Sequence, residues 1–292
     1  MNKKILLEID KYLSDNDDVD GDEIIDIINN GLMEDDTEVF ETNYEKATQI
    51  LENVYKYVSS KKKLEIINEA LEVCDECFLA HIESAKIEKN EYKKINIARS
   101  AIDIADKVCK INVEDFEGYM DLEKYMDYLK ALKYLGELYL SKERIEEAIE
   151  IFEKMLYIDC LDVNRIRHYL IPLYCLNNED NKALSIIDAY SFEKSTHMLF
   201  NCALVYYRVG HYDKALDYLE KAKNANRHVI GLLLDVSKIF SSELSPSYKV
   251  KSKDEALDYC IISYRAWLKT KGIIDTLLEF QNSGKYDSNI IS

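Results

Sequence analysis

Proline and glycine are scarce: the 292 residues contain two prolines, Pro172 and Pro246, and eight glycines. A sandwich, a barrel or an alternating strand and helix fold needs turn residues at nearly every connection, so this scarcity excludes them and leaves helices. Long apolar runs are missing too, since none approaches the roughly 18 residues of a membrane helix. The opening MNKKILLEIDKY carries only Ile5, Leu6 and Leu7 before Glu8 interrupts it, which is no signal peptide. Seven cysteines, an odd number without a secretory segment, read as reduced thiols rather than a disulfide framework. A soluble, cytoplasmic protein is expected.

Chemical signatures are also lacking. No glycine lies in a GxGxxG or GxxxxGK run, and neither an HExxH helix nor a GxSxG elbow occurs. The five histidines at 81, 168, 197, 211 and 228 are scattered. No catalytic residue, no cofactor and no metal site is therefore expected, and the chain reads as not an enzyme. Positive charge is short as well, with a net charge of −17. The electrostatic attraction that dominates binding to phosphate backbones is absent, so nucleic acid is not an expected partner, nor is a membrane. The acidity is concentrated at the front, where residues 1–60 hold 16 acidic and 5 basic side chains; residues 129–230 hold 15 and 14.

Repetition is what the sequence has. Leu132, Leu135, Gly136 and Tyr139 are followed by Ala148, Phe152 and Met155. A second segment carries Leu170, Tyr174, Ala183, Ile187 and Tyr190; a third carries Leu199, Ala203, Tyr206, Gly210, Ala215, Leu219 and Ala222. The small residue recurs at 148, 183 and 215, spacings of 35 and 32. They bracket the period of about 34 residues of the tetratricopeptide repeat, whose pattern these segments resemble. Weaker copies lie at 63–71 and 97–105, with Ala70 and Ala105 again 35 apart, and a further amphipathic helix at 254–268. About ten to twelve helices are expected, paired antiparallel, and each pair can bury its apolar face only against the next. The expected fold is an all-α, tetratricopeptide-like α-solenoid, a right-handed superhelix. Residues 1–60 would form an acidic helical front, 61–280 the solenoid with its clearest repeats at 129–162, 164–195 and 196–230, and 281–292 a flexible tail. An acidic insertion at 110–125 and a serine- and lysine-rich loop at 241–253 interrupt the rhythm.

The stretch from about 65 to 280 also resembles bacterial tetratricopeptide proteins related to the suppressor of tumorigenicity family. Ala70, Leu71, Glu72, Cys77, Tyr125, Met126, Gly136, Glu147 and Ala148 carry the likeness first. Met155, Leu156, Asp162, Arg167 and Pro172 continue it, and Ser252, Glu255, Ala256, Tyr259, Ala266, Trp267, Thr270 and Gly272 complete it. Glu123-Lys124 and Thr276 depart from it. The resemblance implies a helical repeat fold and no particular activity.

Two patterns invite a metal. Asn16, Asp18, Asp20 and Gly21 imitate a calcium loop, but Ile27 stands where the closing carboxylate belongs, so an acidic helix cap is the reading. Cys74, Cys77 and His81 offer zinc-type ligands, with Cys109 a distant fourth, although a CxxC at a repeat junction also serves as small buried residues.

In tetratricopeptide solenoids the first helix of each repeat lines a concave face, presenting residues at steps of about three and four. That stripe is Lys130, Lys133, Glu137 and Leu140, then Arg165, His168, Pro172 and Cys175, then His197, Phe200, Leu204 and Tyr207, with Arg208 beside it. It is basic and aromatic in an acidic chain. The expected function is a non-catalytic scaffold or adaptor, and the expected partner-binding residues are Lys130, Lys133, Arg165, His168, His197, Phe200, Tyr207 and Arg208, gripping a peptide or protein that bears carboxylates. Against this stands the plainer reading, that these cations balance neighbouring glutamates. An acidic chaperone or immunity-type neutraliser of a basic protein, and a peptide-sensing regulator, are alternative functions. Pro172 should remove a backbone hydrogen bond from the helix that carries it.

Overall fold

The computed structural model describes residues 42–109, 122–159, 161–245 and 247–283. The calcium-like stretch at 16–21, nearly all of the acidic front, residues 110–121 of the insertion, Cys160, Pro246 and the tail from 284 lie outside the described residues. Among those described there are fourteen helices and no strand, and they divide into two compact units between Ile87 and Glu88.

The first unit contains α1 (Asn43–Glu52), a 3-10 turn (Asn53–Lys56), α2 (Ser60–Val73) and α3 (Phe78–Ile87). Thr42 starts α1 with a capping box: its hydroxyl accepts from the Glu45 amide at 3.2 Å, and the Glu45 carboxylate accepts from the Thr42 amide at 2.7 Å. The helices close around Ala47, Leu51, Ile67, Ala70 and Ile82, with the Tyr44 and Phe78 rings 5.3 Å apart. The segment at 43–56, expected to stand with the acidic front, thus packs on α2 and α3.

The second unit runs through α4 (Glu91–Cys109), α5 (Leu122–Ser141), α6 (Ile145–Ile158), α7 (Arg167–Leu176), α8 (Asp180–Ala189), α9 (Thr196–Arg208) and α10 (Tyr212–Ala225). It ends with α11 (Val229–Leu234), α12 (Ser237–Phe240), α13 (Lys253–Lys269) and α14 (Ile273–Asn282). The pairs α5/α6, α7/α8 and α9/α10 are the three expected hairpins. Ala148, Ala183 and Ala215 are buried where the paired helices meet, and at Gly136 an added Cβ would lie 2.5 Å from the Phe152 ring.

One turn is built three times. The amides of Arg144, Glu179 and His211 donate to the carbonyls of Tyr139, Tyr174 and Tyr206 at 3.0, 2.8 and 2.9 Å. The residue before each donor has positive φ: Glu143 (58°), Asn178 (59°) and Gly210 (83°). This is the left-handed helix stop that returns the chain antiparallel, and only the third copy uses the residue best suited to it. The three tyrosines are themselves buried, as expected of residues packed between helices.

After α12 the described residues are without helix until Ser252, whose hydroxyl accepts from the Glu255 amide at 3.1 Å and starts α13. This helix does not simply add another hairpin: it packs on α7, α9, α11 and α14.

Candidate partner-binding face

The face expected to bind a partner is carried by α5, α7 and α9, the first helices of their hairpins. The loop into α7 is set by Asp162, whose carboxylate accepts from the amides of Ile166 (2.5 Å) and Arg167 (3.2 Å) and from the Arg167 guanidinium (2.6 Å). Arg167 reaches onward to Glu193 at 2.6 Å and so ties this loop to the one before α9. Arg165 sits in the same loop at φ 55° and is exposed.

On α5, Lys130 is exposed and lies 2.8 Å from Asp127. Lys133 is partly exposed, 3.9 Å from Glu137 and 5.8 Å from the centre of the Tyr169 ring, whose hydroxyl donates to Glu137 at 3.2 Å. Asp127 is buried, whereas the Lys133–Glu137 pair is open to solvent at both ends and contributes about 0–1 kcal/mol, so a partner's carboxylate could replace Glu137 at little cost.

The part of the stripe on α7 and α9 is buried or half-buried. The His168 and His197 rings are buried and stacked at 4.8 Å. His168 meets Glu193 at 2.9 Å, and His197 meets Asp258 of α13 at 3.0 Å. Phe200 is fully buried, with Tyr259 and Trp267 of α13 at 5.4 and 6.4 Å between ring centres. Arg208 is held by Asp180 at 2.6 Å and donates to Thr270 at 3.1 Å. The Tyr207 hydroxyl accepts from Thr276 of α14 at 3.3 Å. Pro172, Cys175 and Leu204 are buried as well. The structure therefore brings Lys130, Lys133 and Arg165 to the surface, and seats His168, His197, Phe200, Tyr207 and Arg208 against α8, α13 and α14.

Burial pushes the His168 imidazole below its ordinary value despite the pull of Glu193. It stays neutral and donates. Burial opposes ionisation of Glu193, but hydrogen bonds from His168, Arg167 and Ser195 outweigh it and hold that carboxyl well below the usual range. Asp258 is likewise lowered, because hydrogen bonds from His197 and Tyr248 overcome its desolvation. Burial raises the Cys175 and Cys202 thiols to about 12, so they remain protonated and act as small apolar fillers.

Of the zinc-type residues, Cys77 is buried, Cys74 is half-buried, and His81 Nε2 lies 3.4 Å from the Asp75 carbonyl. Among the described residues no group of three or more His, Cys, Asp or Glu side chains is gathered to hold a metal ion.

Sequence reasoning missed α13 as the cover, although the signal was present. From Thr196 to Tyr207 there is no Lys, Arg, Asp or Glu, and the eleven residues from Thr196 to Tyr206 are all buried. A helix lining an open groove would carry a polar stripe; one apolar all round is enclosed.

Comparison with known proteins agrees with this architecture. Residues 135–159 and 196–228 match the tetratricopeptide repeat family model, which covers the first hairpin from mid-α5 and the whole of the third. The all-α fold of antiparallel hairpins is thus tetratricopeptide-like. No curated protein matches the chain. A crystal structure of BtubC (BKLC) from P. vanneervenii aligns over 88% of this chain and 96% of its own, at 14% identity and a TM-score of 0.36, too loose a superposition to bear on the function. Among the described residues, no helix is long and apolar enough to cross a membrane.

Proposed function

We propose that the chain is a non-catalytic interaction module, a scaffold or adaptor, that holds a carboxylate-bearing peptide or protein on the surface of α5 and the loop into α7. Lys130, Lys133 and Arg165 are its cations. The observation that carries this reading is selective exposure: of the eight residues expected to bind, these three remain at the surface with no tie to α13 or α14 through a hydrogen bond. Tetratricopeptide repeats generally mediate protein–protein contacts, which supports the class of function. The resemblance to bacterial proteins related to the suppressor of tumorigenicity family belongs to the same reading. So does a cytoplasmic location, in which cysteines stay reduced.

The test is a panel of fluorescent glutamate-rich and lysine-rich peptides titrated against the native chain and against Lys130→Glu/Lys133→Glu/Arg165→Glu. The acidic peptides should bind the native chain and lose about tenfold or more in affinity to the variant, a difference of about 1.4 kcal/mol per factor of ten. Reversal of Lys221 and Lys223 on α10 should leave affinity unchanged. Equal binding to the native chain and the triple variant would remove the site from this face.

A further inference from the structure

The relation of α13 to α7 and α9 is that of a ligand to a groove. It runs parallel to α9: Asp258, near its start, meets His197 in the first turn of α9, and Thr270, just past its end, meets Arg208 in the last. Lys269 donates to the Leu176 carbonyl at 2.8 Å, at the end of α7. Between these polar ends Tyr259 and Trp267, joined by a 2.8 Å hydrogen bond, lie on Phe200. This is the pattern of an amphipathic helix laid in a groove, with its anchors at helical spacing.

Two observations separate α13 from an ordinary core helix. First, it is tethered by residues 241–252, of which those described form no helix and are mostly exposed, with Val250 76% exposed. Twelve residues of extended chain span up to about 40 Å, so this connection does not hold the helix in place; its packing on α7, α9 and α11 does. Second, the groove floor is imperfectly matched. Asn201, one turn beyond His197 on α9 and fully buried, has neither its side-chain nitrogen nor its oxygen hydrogen-bonded; the buried Thr196 hydroxyl is in the same condition. Buried polar groups are nearly always paired, so the helices now packed on α9 leave hydrogen-bonding capacity that a differently composed neighbour could satisfy.

We propose that α13 is a built-in occupant that keeps this groove closed, and that an amphipathic helix from a partner protein takes its place. That helix carries a carboxylate in its first turns, to meet His197, and two aromatic residues about two turns apart, to cover Phe200. The proposal rests on the partner-binding reading above but names a different part of the face. A tethered helix competes at an effective concentration in the millimolar range, so an external helix binds weakly until α13 is loosened.

The probe is a fluorescein-labelled synthetic peptide of residues 250–272, titrated against the full chain and against the full-length variant Asp258→Lys/Trp267→Ala. The variant should bind the peptide at least about tenfold more tightly than the native chain, and unlabelled peptide should compete. Binding by neither, or equally by both, overturns the proposal. Should the variant lose helicity beyond α13 and α14, hydrogen exchange of the native chain decides instead. Amides of α13 exchanging ahead of those of α9 sustain the proposal, and simultaneous exchange refutes it. If light scattering shows the variant dimerising by exchange of α13, the occupant is a second copy and the partner-helix proposal falls. Adding Lys130→Glu alone to the loosened variant should not weaken peptide binding; Lys133 is left in place because its charge acts on Asp258. Failure at the α5 cations and failure at the groove are thereby told apart.

Discussion

His168 shows how one side chain records its surroundings. Buried between the His197 ring and Glu193, with Arg167 beside it, it takes up a proton less readily in the folded chain than in the unfolded one. The folded state therefore binds fewer protons, and stability falls as pH drops through the unfolded value of about 6.5, being fully present above it. Urea midpoints of the native chain should decline between about pH 7 and 5.5, and His168→Gln should flatten that decline. Glu193, held low, contributes in a separate window: its stabilisation is present above the ordinary carboxylate range and is lost only in stronger acid. Gly136 makes a second case. Alanine is about 1 kcal/mol better than glycine in a helix, yet a Cβ here would stand 2.5 Å from a fully buried Phe152 ring that is packed against Tyr169. Overpacking of this kind costs about 1–3 kcal/mol, so Gly136→Ala should lower the denaturation midpoint rather than raise it.

At the scale of the element, the hairpins were legible because two independent marks share one period. Alanines at 148, 183 and 215 and left-handed stops at 143, 178 and 210 both recur at 35 and 32 residues. The alanines are visible in the sequence. The stops are not, since Glu143 and Asn178 occupy a conformation that only Gly210 advertises. The cations of α5 were also readable, because a stripe at helical spacing must share one face. The cover over α7 and α9 was not, because periodicity assigns a face to a helix without saying what lies against it. The 254–268 helix was recognised as amphipathic, but nothing local distinguishes a helix that continues a stack from one that folds back along it. Only the charge-free run from Thr196 to Tyr207, read as a helix enclosed on every side, could have shown that the face was already taken.

For the whole chain, the net charge of −17 sets a condition on any acidic partner. Lys130, Lys133 and Arg165 attract a carboxylate over a few ångströms, while the summed charge of the protein repels it over tens. Screening separates the two ranges. At 0.01 M salt the Debye length is about 30 Å and the long-range repulsion acts in full; at 0.1 M it is about 10 Å, which removes most of that repulsion but leaves close contacts largely intact. Near 1 M it is about 3 Å and the contacts themselves weaken. Affinity for an acidic peptide should accordingly rise from 0.01 to about 0.1 M salt and fall beyond it, which anisotropy titrations across that range would measure. A steady decline from the lowest salt would mean that the local cations govern approach as well as contact. In the Lys130→Glu/Lys133→Glu/Arg165→Glu variant the maximum should vanish, because only repulsion is left for the salt to screen.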